Sequence, residues 1–401
     1  MTTRVLGVHR DYACHHAGAC CRSGWTIPVE VSRYDALAEA MRTGGLTAPG
    51  CDDVAPLVPF PARTGDYGGL LGVCEDGRCA FLERVNTAGS FPIPRPACAV
   101  HRQLGHAALP LACQQFPRVA VMRPASTAVS LSHYCPTAAA LLFRSEGALA
   151  IERGPATLVD EHVWEGLDVR EALPPLLRHD ALFTWTAFDR WEQFVVAVLA
   201  APAQTLEDAV ATLAAAAEAL REWRLEHGPL EAFVEERLRG VRAEPPHARV
   251  PTSASTPAGE AIRLVSLAIP PGVQQSFTPS VDLRVERAAR EGSASDAEVL
   301  RRYLAARAWA SWVAHESGGV RGYVRWLLVV LGTLRACWTT SLFDAIRHAD
   351  LLLLHLASPA AIARVLARAD RVSLTAPHLT TDGALRARSG SAGRKPRVPV
   401  K

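Results

Sequence analysis

Nine of the ten cysteines in this chain fall between Cys14 and Cys135, and only Cys337 lies outside that span. No other feature of the sequence limits the fold as tightly. The densest run reads Cys14-His15-His16-Ala17-Gly18-Ala19-Cys20-Cys21, followed by Arg22-Ser23-Gly24-Trp25. Small residues between these thiols let the backbone wrap closely enough for sulfurs to converge. Cys74 and Cys79 follow, then Cys98 with His101 three residues later, Cys113, and Cys135 ahead of Pro136.

The compartment decides how such a set is read. The opening residues MTTRVLGVHRDYAC lack the apolar core of a secretory leader. The apolar runs Trp326–Leu334 and Leu351–Leu354 fall far short of the roughly 20 residues that a membrane-spanning helix needs. The expectation is therefore a soluble cytoplasmic protein with no membrane partner, in which thiols stay reduced and disulfides do not account for the cysteines. Lys and Arg total 43 against 40 Asp and Glu, so the net charge of +3 gives no broad attraction to nucleic acid.

Soft thiolates gathered in this way suit zinc or an iron–sulfur cluster, and a four-thiolate set serves either. The spacing is not that of a zinc ribbon or a ferredoxin run. Buried inert thiols are the plain alternative, but the adjacent Cys20-Cys21 pair and the crowding of nine cysteines argue against it. Cys51, in a Gly/Pro-rich loop, and Cys337, on an apolar helix, read as inert.

The rest of the chain predicts an α+β fold that is predominantly α. Residues 1–148 form the cysteine-rich metal-binding domain, rich in Gly and Pro, with a few short strands. Val119–Met122 and Thr127–Leu131 read as a hairpin, Arg33–Met41 as a short helix, and Pro136 as the first residue of another. So few apolar runs give a weak core, which a metal centre would staple. Residues 149–383 read as an all-α helical domain. Trp185, Phe188, Trp191 and Phe194 build one apolar face, and Gly240 closes a helical stretch. A Pro/Ser-rich loop covers 243–259, a capping box at Ser295–Glu298 starts a further helix, and helices near Tyr323–Trp338 and Leu342–Leu356 complete the domain. Residues 384–401, with six basic side chains, read as a disordered tail.

The ordered cysteine blocks resemble the CxxCxxCC cysteine-cluster family of zinc- or iron-chelating proteins, and within it look closest to the flagellin lysine-N-methylase branch. Its CC pair followed by Gly-Trp reads here as Cys20-Cys21-Arg22-Ser23-Gly24-Trp25. Its C-x-F-L and C-x-x-H blocks read Cys79-Ala80-Phe81-Leu82 and Cys98-Ala99-Val100-His101. Its L-x-x-x-C-x-x-F/Y-P-R block spans Leu109 to Arg118 around Cys113, and its final C-P is Cys135-Pro136. The second half is similar only loosely, over Leu300–Trp338. The resemblance implies a [4Fe–4S] cluster, or zinc as the alternative, held among Cys14, Cys20, Cys21, Cys79, Cys98, Cys113 and Cys135. It also implies methyl transfer from S-adenosylmethionine to a lysine of a protein substrate. Ala17 stands where the family has its second cysteine. Either four of the remaining thiols suffice, or Cys74 or a histidine substitutes, or the centre has degenerated. A non-catalytic zinc- or iron-chelating module and a redox or metal-handling protein are the competing classes.

Other candidates weigh less. His15 and His16 are ligands or solvated loop residues, and His101 has a supporting role beside Cys98. Arg118 anchors a carboxylate or forms a surface ion pair. The run Gly65-Asp66-Tyr67-Gly68-Gly69-Leu70-Leu71-Gly72 does not match a dinucleotide fingerprint and reads as a flexible loop. Methylating a lysine needs a neutral amine, so the site must desolvate the ammonium or supply a base. Asp11, Tyr12, Asp66 and Tyr67 are the candidates, and the sequence does not choose among them.

Overall fold

The computed structural model describes residues 2–15, 17–61, 66–85, 95–144, 147–154, 166–243, 258–269, 292–339 and 341–369. His16, residues 244–257 of the expected loop and the expected tail at 384–401 lie outside them. The first part of the chain runs β1 (Thr2–Leu6), β2 (Pro28–Glu30), α1 (Val31–Arg42), β3 (Leu57–Pro59), β4 (Tyr67–Leu71), β5 (Leu82–Val85) and β6 (Arg95–Cys98). Then come α2 (Ala99–Leu104), α3 (Leu111–Gln115), β7 (Arg118–Met122), β8 (Ser126–Leu131) and α4 (Pro136–Leu141). Short strands β9 (Ile151–Arg153), β10 (Leu167–Asp168), β11 (Leu176–Arg178) and β12 (Ala181–Leu182) follow. The helices are α5 (Trp185–Ala200), α6 (Leu206–Arg221), α7 (Leu230–Ala243) and α8 (Ala258–Ala268). They continue as α9 (Asp296–Ala308), α10 (Val320–Cys337), α11 (Leu342–Asp350) and α12 (Pro359–Ala369). The fold is α+β with a helical majority.

A five-stranded mixed sheet in the order β10-β7-β8-β1-β9 organises the molecule. The hairpin read from alternation is present, with Val119 opposite Ser130 and Val121 opposite Ala128. Its second strand lies parallel to β1, placing Val5 beside Val129. The strands β9 and β10 close the two edges by pairing with β1 and β7. This corrects the expectation of an all-α part from residue 149: four strands precede α5. Strands of two or three residues are too short to show a period of two, so alternation could not reveal them.

Strand β8 is buried along its whole length, because α9 lies over it. Ser130 Oγ donates to the Ala306 carbonyl at 2.7 Å and Trp309 Nε1 donates to the Val129 carbonyl at 3.0 Å. The expected capping box starts this helix: the Ser295 amide donates to Glu298 Oε2 at 2.8 Å, and the Glu298 amide donates back to Ser295 Oγ at 3.4 Å. The apolar stripe of α5 is buried at Phe188, Trp191, Phe194 and Val195. It joins Leu6, Val121 and Tyr134 with the later helices in one continuous core. Helix α7 runs through Gly240 to Ala243 rather than stopping there. Glycine in a helix interior costs only about 1 kcal/mol, and nothing lies within 4 Å of the position a Gly240 side chain would take. Among the described residues no helix is long and apolar enough to cross a membrane.

The glycine-rich run expected as a loop contains strand β4, the centre of a three-stranded sheet in the order β2-β4-β3. Close approach explains its composition. A Cβ on Gly69 would stand 2.3 Å from the Val58 carbonyl oxygen and 2.5 Å from Tyr34 Cε2. This sheet and α1 form a second, smaller core around Val29, Tyr34, Leu37 and Phe81, against which Cys79, Cys98 and Cys113 pack. A disulfide reinforces it: Cys51 and Cys74 are bonded at 2.10 Å, at a sequence separation of 23. That corrects the expectation of reduced thiols throughout and of an inert Cys51. It also removes Cys74 as a substitute ligand. The other eight cysteines are not bridged.

Candidate metal centre

A cavity of about 660 Å³ opens between the small core and the helices, and all seven expected ligand cysteines line it: Cys14, Cys20, Cys21, Cys79, Cys98, Cys113 and Cys135. Ala17 lines it too. Backbone bonds bring the thiols together from separate segments. Cys20 and Cys21 sit on a short 3₁₀ turn, Cys20–Arg22. The Cys79 amide donates to the Cys21 carbonyl at 2.8 Å. Gly24, with φ of 69°, sends its amide to the Gly77 carbonyl at 3.0 Å, which locks the two turns side by side. Cys98 ends β6 opposite Leu82, and the Ala99 amide reaches the Phe81 carbonyl. Cys113 rides on α3, which is tied to β2 by the Leu111 amide donating to Glu30 Oε1 at 3.0 Å. Cys135 caps α4, one residue before the Pro136 expected to open it.

The seven fall into two clusters joined by an interaction of Cys20 with Cys135. Cys20, Cys21, Cys79, Cys98 and Cys113 influence one another electrostatically. Cys135 and Cys14 flank Tyr12, whose hydroxyl lies 3.6 Å from Cys135 Sγ. The Cys20 and Cys21 sulfurs are 3.9 Å apart. That contact holds the Cys20 thiol below its ordinary range and pushes Cys21 well above it. Burial raises Cys79 to about 12 and Cys135 to about 11, and lifts Cys98 and Cys113 as well. Among the described residues no three His, Cys, Asp or Glu side chains stand close enough together to grip a single ion. The sulfurs line a chamber rather than a closed tetrahedron.

Of the secondary candidates, His101 lines the cavity with its ring 5.7 Å from that of His106, whereas His15 is exposed. Of the four proposed bases only Tyr12 reaches the cavity, and burial raises its phenol far above the usual value, so it keeps its proton. Arg118 makes no ion pair among the described residues; it lines the cavity. Trp309, Trp312 and Trp326 also form part of the wall.

The opposite wall comes from residues the sequence reading did not select. Arg307 on α9 lines the cavity and lies 3.6 Å from Asp350, which also accepts from the Tyr303 hydroxyl at 2.8 Å. His133 Nδ1 is 3.3 Å from the same carboxylate, and its Nε2 is 3.1 Å from His9 Nε2. Burial works to raise Asp350, but Arg307, His133 and Tyr303 outweigh it and hold the carboxyl at about 2. After α11 the chain opens into a π-turn, Leu351–Leu356, where one continuous helix was expected. This wider turn carries His355 into the wall, stacked on Trp25 at 4.4 Å and 2.7 Å from Ser132 Oγ. Burial lowers His355 to about 4, so it is neutral near pH 7. The only available sequence signal was a charged or imidazole group within an apolar run, as in Ala349-Asp350-Leu351.

Compared with known proteins, the chain matches no family model, no curated protein and no solved structure.

Proposed function

We propose that the thiol-lined cavity holds an iron–sulfur cluster, and that the protein transfers a methyl group from S-adenosylmethionine to a protein lysine, as in the flagellin lysine-N-methylase branch it resembles. One observation carries the reading: seven reduced cysteines from six separate segments border a single chamber. Their spread favours a cluster over zinc. Thiolates bound to one zinc at 2.3 Å lie about 3.8 Å apart, a separation found here for Cys20 and Cys21. Bridged irons accept more widely spaced sulfurs, and four of Cys20, Cys21, Cys79, Cys98 and Cys113 would be the ligands. The cluster would supply a Lewis-acidic iron beside the methyl donor.

The wall suits the amine as well. Among its described residues there is no Asp, Glu or Lys, while Arg118 and Arg307 are cationic. A lysine entering such a space loses hydration and meets positive charge, and both effects favour its neutral, nucleophilic form. Trp25, Phe116, Trp309 and Trp312 offer flat apolar surfaces that exclude water from the reacting groups.

A second reading, a non-catalytic iron- or zinc-chelating module, draws on the small core that Cys79, Cys98 and Cys113 buttress. Anaerobic purification with iron, sulfide and zinc analysis tests both. The expected outcome is iron and sulfide with a visible charge-transfer band, retained in Cys337→Ser and lost in Cys20→Ser and Cys113→Ser. Zinc alone, or unchanged iron in the latter two variants, would overturn the cluster assignment. Iron-loaded protein that leaves lysine peptides unmethylated in the presence of S-adenosylmethionine would leave only the module.

A further inference from the structure

Several buried guanidinium groups in this molecule face carboxylates, while Arg301 and Arg302 donate to backbone carbonyls. Arg123 meets Glu192 at 2.5 and 2.8 Å, Arg347 meets Asp344 at 2.9 Å, and Arg307 faces Asp350. Arg118, at the start of β7, has no carboxylate partner among the described residues. Its Nη1 donates to the Gln115 carbonyl at 3.5 Å, its Cζ lies 5.7 Å from the centre of the Tyr12 ring, and its buried Nε has no hydrogen-bond partner. The side chain borders the cavity beside Phe116, in a wall that offers no acidic side chain.

Holding a guanidinium partly out of water without a counter-ion is costly, and its planar fork matches a carboxylate in two parallel hydrogen bonds. We propose that Arg118 is the residue that holds the carboxylate of the methyl donor in this cavity, with Tyr12 fixing the plane of its guanidinium from below. The assignment rests on the reading that the cavity takes a nucleoside methyl donor. It makes Arg118 a ligand-positioning residue, distinct from the thiols.

The test is equilibrium binding, by calorimetry on anaerobic iron-loaded protein, of S-adenosylhomocysteine and of its decarboxylated analogue, with iron measured in every sample. Arg118→Gln is expected to weaken S-adenosylhomocysteine about 10- to 100-fold, the effect of one lost charged hydrogen-bonding pair. The analogue should bind wild type and variant alike, Arg118→Lys should recover part of the loss, and iron should stay at the wild-type level. If Arg118→Gln binds both nucleosides as wild type does, the assignment fails while the methyl-donor reading stands. If the variant loses iron yet keeps the wild-type preference for the carboxylate, Arg118 balances the charge of the cluster instead and the assignment is again wrong. Wild type that binds neither nucleoside overturns the methyl-donor reading and this role with it.

Discussion

Cys74 and Cys79 are five positions apart and have opposite fates. Cys79 faces the cavity beside Cys21, whereas Cys74 is bonded to Cys51. Their spacing in sequence could not separate them, because cysteine connectivity depends on the fold around each residue. Here the Gly50 amide bonds the Ala80 carbonyl at 2.8 Å, which brings the Cys51 loop against the Cys74–Cys79 turn. The pairing predicts that eight of the ten cysteines react with iodoacetamide in denatured, metal-free, unreduced protein, counted by mass spectrometry; ten would contradict it. Closing a loop of this length should contribute about 3 kcal/mol, which the Cys51→Ser, Cys74→Ser double variant would lose in urea unfolding.

Among the elements, α9 links scaffold to site. Its cap is at Ser295, its end at Ala306 and Trp309 bonds β8, and the same turn brings Arg307 and Trp309 to the cavity. Ser295→Ala should cost about 1 kcal/mol of stability while leaving iron content unchanged, because the cap is at the opposite end of the helix from Arg307. Loss of iron in that variant would mean that the helix end and the site are coupled more tightly than the geometry indicates. Elements with a long period or a defined terminal signal were legible in the sequence: the β7–β8 hairpin, α5, the Ser295 cap and Pro136 at the head of α4. Those made by tertiary demand were not. Strand β4 looks like a loop because Tyr34 and Val58 leave space only for glycine there. The π-turn at Leu351–Leu356 follows ordinary helical periodicity up to Asp350. The thiol half of the candidate site could be read from spacing, but its other wall, with Arg307 and His355, is brought in by α9 and the π-turn after α11 from the far end of the chain.

At the scale of the whole molecule, buried neutral histidines set the acid limit. Burial lowers both His315 and His355 to about 4, against about 6.5 in the unfolded chain. Between those values the unfolded state binds protons that the folded state refuses, so stability is full above about pH 6.5 and declines as the pH falls toward 4. At pH 5 each histidine should cost about 2 kcal/mol relative to pH 7. Urea midpoints measured across this range should fall with pH, and His315→Phe should flatten part of the slope. A flat profile in the parent protein would show that these rings titrate normally.

The cavity wall also has a temporal meaning. Its sulfurs come from the first 135 residues, while the segments that cover them, 306–313 and 353–359, are synthesised long afterwards. On the ribosome, then, the thiols emerge into solvent well before their lid exists. An inorganic centre of the kind proposed would either be delivered late, to an almost finished polypeptide, or need shielding until the last helices arrive.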